Sequence, residues 1–233
     1  MKMSFLSSMT CAALIGLAAS QNTSAAGFVW NASSLGNGDL GTSSLLNPVS
    51  GISSIISGNQ NNLGTKTVGG IKGLGVVGGT VGNEIDVAGE SVTFTFSAPT
   101  LLSSLTLGAM FQPGQFGDTV FEKAKITVNG GTSYFLKVTG NTTASWSGSG
   151  TVNNVAPATQ PNGGAFVINN PFNSLVSTLT FTAVKRGDGT YRDSDYTVVS
   201  LAGQSRDVPE PSAALASLGL LVGAAIFGLR RKH

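Results

Sequence analysis

The stretch Ser91-Val92-Thr93-Phe94-Thr95-Phe96 alternates polar and apolar residues without interruption. Successive side chains of a strand point to opposite faces of the sheet, so Val92, Phe94 and Phe96 would share one face and the hydroxyl residues the other. A strand with one buried face and one hydrated face is typical of antiparallel sheets. The stretch therefore predicts an antiparallel β-protein.

Similar segments follow this stretch along the chain. Ala98-Pro99-Thr100 is predicted to be a turn before a second strand over 101–107. Asn129-Gly130-Gly131 is a hairpin signal between strands predicted over 125–128 and 134–138. No helical period occurs between the terminal segments of the chain, so we expect an all-β domain, an antiparallel β-sandwich or jelly roll. Further strands are predicted over 144–146, 166–169, 175–184 and 196–201.

Glycines crowd residues 69–82, where Gly73-x-Gly75-x-x-Gly78 formally matches a dinucleotide-binding fingerprint. That fingerprint requires a following helix within a βαβ unit, and no helix-forming run follows here. We therefore interpret these glycines as strand, turn and bulge residues.

The N-terminal segment, residues 1–26, has the organisation of a secretory signal peptide. Lys2 precedes an apolar stretch over 11–19, and the small residues Ser24-Ala25-Ala26 form a cleavage pattern that ends at Ala26. The prediction is export through the Sec translocon and a mature chain that begins after Ala26.

The C-terminal segment combines an apolar run with a basic end. Residues 212–229 carry no charge and, as a helix, would span about 27 Å, close to the thickness of the bilayer hydrocarbon. Arg230, Arg231 and Lys232 follow directly and would stay on the cytoplasmic side. A single transmembrane helix is therefore predicted, with the body of the chain on the opposite side of the membrane.

Pro209, Glu210 and Pro211 precede this run and form a rigid, non-helical break. In this order, the motif, the apolar run and the basic end resemble the PEP-CTERM sorting signal of Gram-negative bacteria, here residues 208–233. The resemblance implies processing near the motif by an exosortase, a membrane protease, after transient anchoring in the inner membrane. It also implies delivery to the cell surface or extracellular matrix and a β-rich cargo domain, here residues 27–207.

Composition excludes several functions for the body. Four of the 13 Lys and Arg residues, and Glu210 among the 11 Asp and Glu residues, lie in the terminal segments, which leaves nine basic against ten acidic residues in the body. The body therefore has no basic excess for nucleic acid. The one cysteine, Cys11, lies in the predicted signal peptide, and the one histidine is the terminal His233. A Cys nucleophile, a Ser-His-Asp triad and a His-ligated zinc site are therefore excluded in the body.

Carboxylates remain available for chemistry. Glu84 and Asp86 precede the alternating stretch, and Asp193 and Asp195 lie between the last two predicted strands. Oxygen ligands from such loops suit Ca²⁺, so these four residues are a candidate calcium site; the alternative is that they are solvated loop residues. No other cofactor is predicted.

Aromatic side chains are the second candidate feature. Trp146 has polar neighbours in Thr142-Thr143-Ala144-Ser145-Trp146-Ser147-Gly148, which favours an exposed ring that could stack on a sugar. Trp30, Tyr134, Tyr191 and Tyr196 are weaker candidates, because strand aromatics are usually core residues.

These patterns lead to three functional hypotheses. The first is an exported, non-catalytic surface or matrix protein associated with exopolysaccharide. The second is a carbohydrate-binding module, stabilised by calcium. The third is a polysaccharide hydrolase or lyase that uses an Asp/Glu pair. The first is preferred, so the chain is not expected to be an enzyme.

Overall fold

The computed structural model describes residues 27–46, 54–59, 61–116, 119–156, 164–185 and 194–206. The predicted signal peptide with Ala26, and the whole predicted sorting signal, lie outside these ranges. Within them the helical structure is one three-residue 3₁₀ turn, Ala32–Ser34, so no helix of the described part could cross a membrane.

The described residues form one large antiparallel sheet of 14 strands that does not close on itself. The all-β prediction is therefore confirmed, and the predicted strands are present. The strands are β1 Gly27–Asn31, β2 Gly38–Asp39, β3 Ser44–Leu46, β4 Ser54–Gly58, β5 Leu63–Val68, β6 Ile71–Val76, β7 Ser91–Gly108, β8 Lys123–Val128, β9 Ser133–Gly140, β10 Thr143–Trp146, β11 Thr151–Asn154, β12 Ala165–Asn169, β13 Val176–Ala183 and β14 Thr197–Ser205.

Strand β7 connects the two parts of the sheet. Its N-terminal half, which contains the alternating stretch, pairs with β4 and β13, and its C-terminal half pairs with β12 and β14. Val92 and Phe94 are fully buried and Phe96 is nearly so, as the alternation predicts. The strand with the clearest sequence pattern is thus the centre of the fold.

The predicted turn at Ala98-Pro99-Thr100 is wrong, because β7 continues through it as an 18-residue strand. The register against β13 shifts here: Thr178 pairs with Thr95, whereas Val176 pairs with Thr100. Such a bulge accommodates proline, which has no N–H to donate to a ladder. The Pro99 carbonyl still accepts a hydrogen bond from Arg206 N at 2.8 Å.

Aromatic contacts bring β1 against the first half of β7, although the two strands are not hydrogen-bonded neighbours. The Trp30 and Phe94 rings meet edge to face with centroids 4.8 Å apart, and the Phe28 and Phe96 centroids are 5.7 Å apart. Phe94 also contacts Phe181 of β13 at 5.8 Å. The continuous sheet therefore folds over itself into a sandwich-like arrangement with a core between the layers.

Some glycines of the described chain form turns, and others allow close packing, as predicted. Asn129 and Gly130 both have positive φ between β8 and β9, which is the hairpin conformation that their residue types favour. Gly73 and Gly75 lie within β6, where a Cβ would collide with Thr197 and with the Asn83 backbone, respectively. Close packing thus accounts for two glycines of the formal fingerprint.

Candidate functional site: a polar cleft with an exposed aromatic rim

A cleft of about 520 Å³ opens at one end of the sheet. The end of the β5–β6 hairpin forms one wall, and the segment after β7 forms another. The residues that give the cleft its chemistry are three carboxylates, one amine and two aromatic rings: Glu84, Glu122, Asp195, Lys66, Phe111 and Phe116.

Local backbone geometry positions these walls. Gly69 and Gly70 both have positive φ and form the tight connection between β5 and β6, which presents Lys66 near the hairpin end. At the end of β7, Ala109 has a φ of 57°, where the chain leaves the sheet towards Phe111. The walls of the cleft are therefore the end of the β5–β6 hairpin and the segment that follows β7, and both are held by the sheet.

Lys66 and Glu84 form an ion pair on the cleft wall. Lys66 Nζ lies 2.9 Å from Glu84 Oε1, and the Glu84 side chain is 4% exposed whereas that of Lys66 is 31% exposed. A buried carboxylate requires such compensation, because desolvation of a single charge is unfavourable. The half-exposed ammonium keeps donors that can face the cleft.

Glu122 fixes the segment that carries the aromatic wall. Its Oε2 accepts a 2.6 Å hydrogen bond from Phe111 N, its backbone N–H donates to the Phe111 carbonyl, and its side chain is buried. A carboxylate that accepts a backbone N–H forms a strong charge-assisted bond. Glu122 therefore holds Phe111 in place beneath the cleft rim.

Phe116 forms the exposed rim of the cleft. Its side chain is 71% exposed, whereas Phe111 is buried, and the two ring centroids lie 4.5 Å apart. Phe116 also has a φ of 50°, which is uncommon for a bulky residue. Backbone strain together with an exposed large ring is typical of functional positions rather than of packing. Sequence patterns did not indicate Phe116, because it lies outside any alternating strand.

The structure separates the predicted calcium ligands. Glu84 and Asp195 line the same cleft, whereas Asp86 points into the loop that follows β6, where its Oδ2 accepts from Thr80 N and Val81 N. Asp193 lies outside the described residues. Across the described ranges, no group of three or more His, Cys, Asp or Glu side chains is arranged to hold a metal ion.

Trp146 lies on β10 and is half-buried. Its ring stacks on Tyr134 at 5.6 Å and meets Phe172 at 5.9 Å, and its Nε1 donates to the Pro171 carbonyl at 3.1 Å. The ring is therefore packed at the edge of the core and not fully exposed; its use in sugar stacking stays a prediction. Trp30 and Tyr196 are buried, and Tyr191 lies outside the described residues.

Burial raises the pKa of Tyr196 well above its usual value, because the charged phenolate would be desolvated. Its hydroxyl lies 2.9 Å from the Thr182 carbonyl and 3.3 Å from that of Lys125. Tyr196 thus serves the core as a hydrogen-bond donor next to the site residue Asp195.

The chain matches no protein-family model, no curated protein and no solved structure. What it does must therefore be inferred from its own residues.

Proposed function

We propose that this chain is an exported, non-catalytic surface or matrix protein whose β domain binds extracellular polysaccharide in the cleft described above. Two parts make up this function. Residues 208–233 resemble a sorting signal, and the β domain binds carbohydrate. The single observation that carries the binding role is Phe116, whose exposed ring lies at the rim of a polar cleft of about 520 Å³.

An exposed aromatic ring next to hydrogen-bonding groups suits a sugar. The apolar face of a pyranose can pack on the Phe116 ring, while its hydroxyls reach polar groups of the cleft. Lys66 supplies N–H donors, and the carboxylates of Glu84 and Asp195 supply acceptors. Phe111 supports the Phe116 ring from below, so part of the rim is ordered before the ligand arrives.

The charge of the cleft predicts the class of polysaccharide. Three carboxylates and one lysine line it, and that lysine already pairs with Glu84. An acidic polysaccharide would therefore meet net negative charge, whereas a neutral or amine-bearing one would not. We expect neutral glucans and partly deacetylated amino sugars to bind, and alginate-type polymers not to bind.

The test is a binding measurement with the full chain, kept in solution by a detergent without a sugar headgroup because residues 212–229 are apolar. Affinity electrophoresis against immobilised neutral, amine-bearing and acidic polysaccharides gives dissociation constants for each class. Replacing Phe116 by alanine should weaken binding by about two- to tenfold, since aromatic stacking contributes about 0.5–1.5 kcal/mol and 1.4 kcal/mol is tenfold.

Phe121→Ala is the matched control, because Phe121 is also exposed, at 39%, but does not line the cleft. The control should bind like the wild type. Equal binding by all three proteins would show that the cleft is not the binding site. No binding to any polymer by the wild type would remove the carbohydrate role altogether.

A second candidate is a polysaccharide hydrolase or lyase, favoured by the three carboxylates that share the cleft. Glycoside hydrolysis needs one carboxyl as acid and another as nucleophile or base. Release of reducing ends from a polymer that the chain binds, lost in both Glu84→Gln and Glu122→Gln, would establish this activity. Binding without product release supports the non-catalytic proposal.

The sorting proposal concerns the chain ends and has its own test. N-terminal sequencing of the exported protein should begin at Gly27 if the signal peptide ends at Ala26. Replacing Pro209, Glu210 and Pro211 by alanines should leave the protein in the inner membrane of an exosortase-containing host, with an unchanged mass. Normal release of that variant would contradict the sorting role.

We also propose that the two sandwich layers follow jelly-roll connectivity. The two-sided pairing of β7 supports it, because one long strand then belongs to both layers. An experimental structure in which β4 and β12 lie in one flat layer would contradict it.

A further inference from the structure

The loop between β6 and β7, residues 77–90, encloses two carboxyl groups. Asp86 and Glu90 are each 2% exposed. Asp86 Oδ2 accepts from the N–H groups of Thr80 and Val81 at 2.6 and 2.5 Å, and Glu90 Oε2 accepts from those of Asp86 and Val87 at 3.1 and 3.3 Å. One oxygen of each carboxyl is thus committed to the loop backbone.

The other oxygen of each carboxyl accepts no hydrogen bond from an N–H group or hydroxyl of the described residues. These oxygens, Asp86 Oδ1 and Glu90 Oε1, are both buried. Neither group has an ion pair with a lysine or arginine in the described ranges. The two carboxyl side chains lie within hydrogen-bonding reach of each other, so a single proton can be shared between them. Two adjacent buried carboxyl groups need either a shared proton or a cation between them.

Two glycines of the loop pack directly against this pair. A Cβ on Gly79 would collide with Asp86 Oδ1, so no side chain fits there. A Cβ on Gly78 would lie 3.9 Å from Glu90 Oε1 and 2.8 Å from the side-chain amide nitrogen of Asn61. Gly78 and Asn61 also line a surface depression of about 550 Å³. Gly78, which has no side chain, therefore separates this depression from Glu90 Oε1.

We propose that Asp86 Oδ1 and Glu90 Oε1 bind a divalent cation of the calcium class, reached from solvent beside Gly78 and Asn61. Ca²⁺ takes oxygen ligands in flexible geometry, so backbone carbonyls, waters and the amide oxygen of Asn61 can complete its shell. The cation neutralises both buried charges and closes the 77–90 loop onto β7. Glu84 and Asp195 belong to the sugar cleft and not to this site. The cation site does not depend on the sugar cleft.

The test is the melting temperature of the full chain, first treated with a chelator and then measured at pH 8 with added CaCl₂. Extracellular calcium modules bind with dissociation constants of about 10⁻⁴–10⁻³ M, so 10 mM Ca²⁺ should raise the melting temperature by about 3–10 °C. NaCl at the same ionic strength should not. An equal rise of the melting temperature in NaCl, or no rise in CaCl₂, would overturn the proposal. The two carboxyls would then share only a proton.

Variants show which residues are responsible for the rise of the melting temperature in calcium. Glu90→Gln and Asp86→Asn remove one charge each while keeping an oxygen acceptor for the loop N–H groups, so both should fold and both should lose the calcium response. Asp39→Asn is the matched control, since Asp39 is an exposed carboxylate on β2 that accepts from Gly41 N. It should keep the full response. A full response in both loop variants would place the cation elsewhere and refute the assignment.

Discussion

Replacing Glu90 by glutamine should remove a pH dependence from the stability of this protein when calcium is absent. Burial and the Asp86 carboxyl raise the pKa of Glu90 from 4.5 to about 7 in the folded chain. Between pH 4.5 and about 7, Glu90 therefore binds a proton more tightly in the folded state than in the unfolded state. The stabilisation is fully present below about pH 4.5 and is lost as the pH rises through about 7.

The magnitude follows from the two pKa values. Each pKa unit corresponds to about 1.4 kcal/mol, so the difference between 4.5 and about 7 amounts to about 3 kcal/mol at most. That is a large part of the stability of about 5–15 kcal/mol of a typical domain. Glutamine stays neutral and can donate to Asp86 at every pH, so Glu90→Gln should match the wild type near pH 4.5 and exceed its stability at pH 8.

The assay is urea unfolding of the full chain in chelator at several pH values from 4.5 to 8. Subtracting the unfolding free energy of Glu90→Gln from that of the wild type cancels the contributions of the other titrating groups. Asp39→Asn is the control for the loss of a carboxylate outside the loop, and it should not gain stability at pH 8. Parallel wild-type and Glu90→Gln curves would refute the conclusion that Glu90 titrates inside the fold.

Three further predictions test the packing. Phe94→Ala should destabilise the domain by about 3–5 kcal/mol, because it leaves a cavity beside Trp30 and Phe181, which both contact the Phe94 ring; thermal unfolding measures the loss. Gly73→Ala should cost about 1–3 kcal/mol or more, because the added methyl overlaps the Thr197 side chain, and it should lower the urea midpoint. Trp146→Phe removes the hydrogen bond to the Pro171 carbonyl, so it should cost about 1 kcal/mol; an unchanged midpoint would show that this bond contributes nothing.

Alternation predicted the strands well where one face is buried. Val92, Phe94 and Phe96 reached the core as expected, because a strand against a core must keep its period of two. Alternation failed at bulges. Pro99 marks a register shift within one long strand and not a turn, because β13 and Arg206 together accommodate the proline. Such compensation by partners distant in sequence is invisible from local composition.

The same limit applies to the candidate sites. Acidic residues could be named from sequence, but not their partners: Glu84 pairs with Lys66, whereas Asp86 pairs with Glu90. Both pairings depend on the conformation of the β6–β7 loop. Its glycines allow many conformations, so the local sequence does not specify which one forms. Phe116 left no periodic signal at all, since its importance comes from exposure and from its contact with Phe111.

The central claim is that the cleft under Phe116 binds polysaccharide. The most direct measurement is the binding isotherm of the full chain for a neutral polysaccharide, compared between wild type and Phe116→Ala. We predict saturable binding by the wild type and about two- to tenfold weaker binding by the variant, with an unchanged melting temperature. Identical isotherms for the two proteins would contradict the claim.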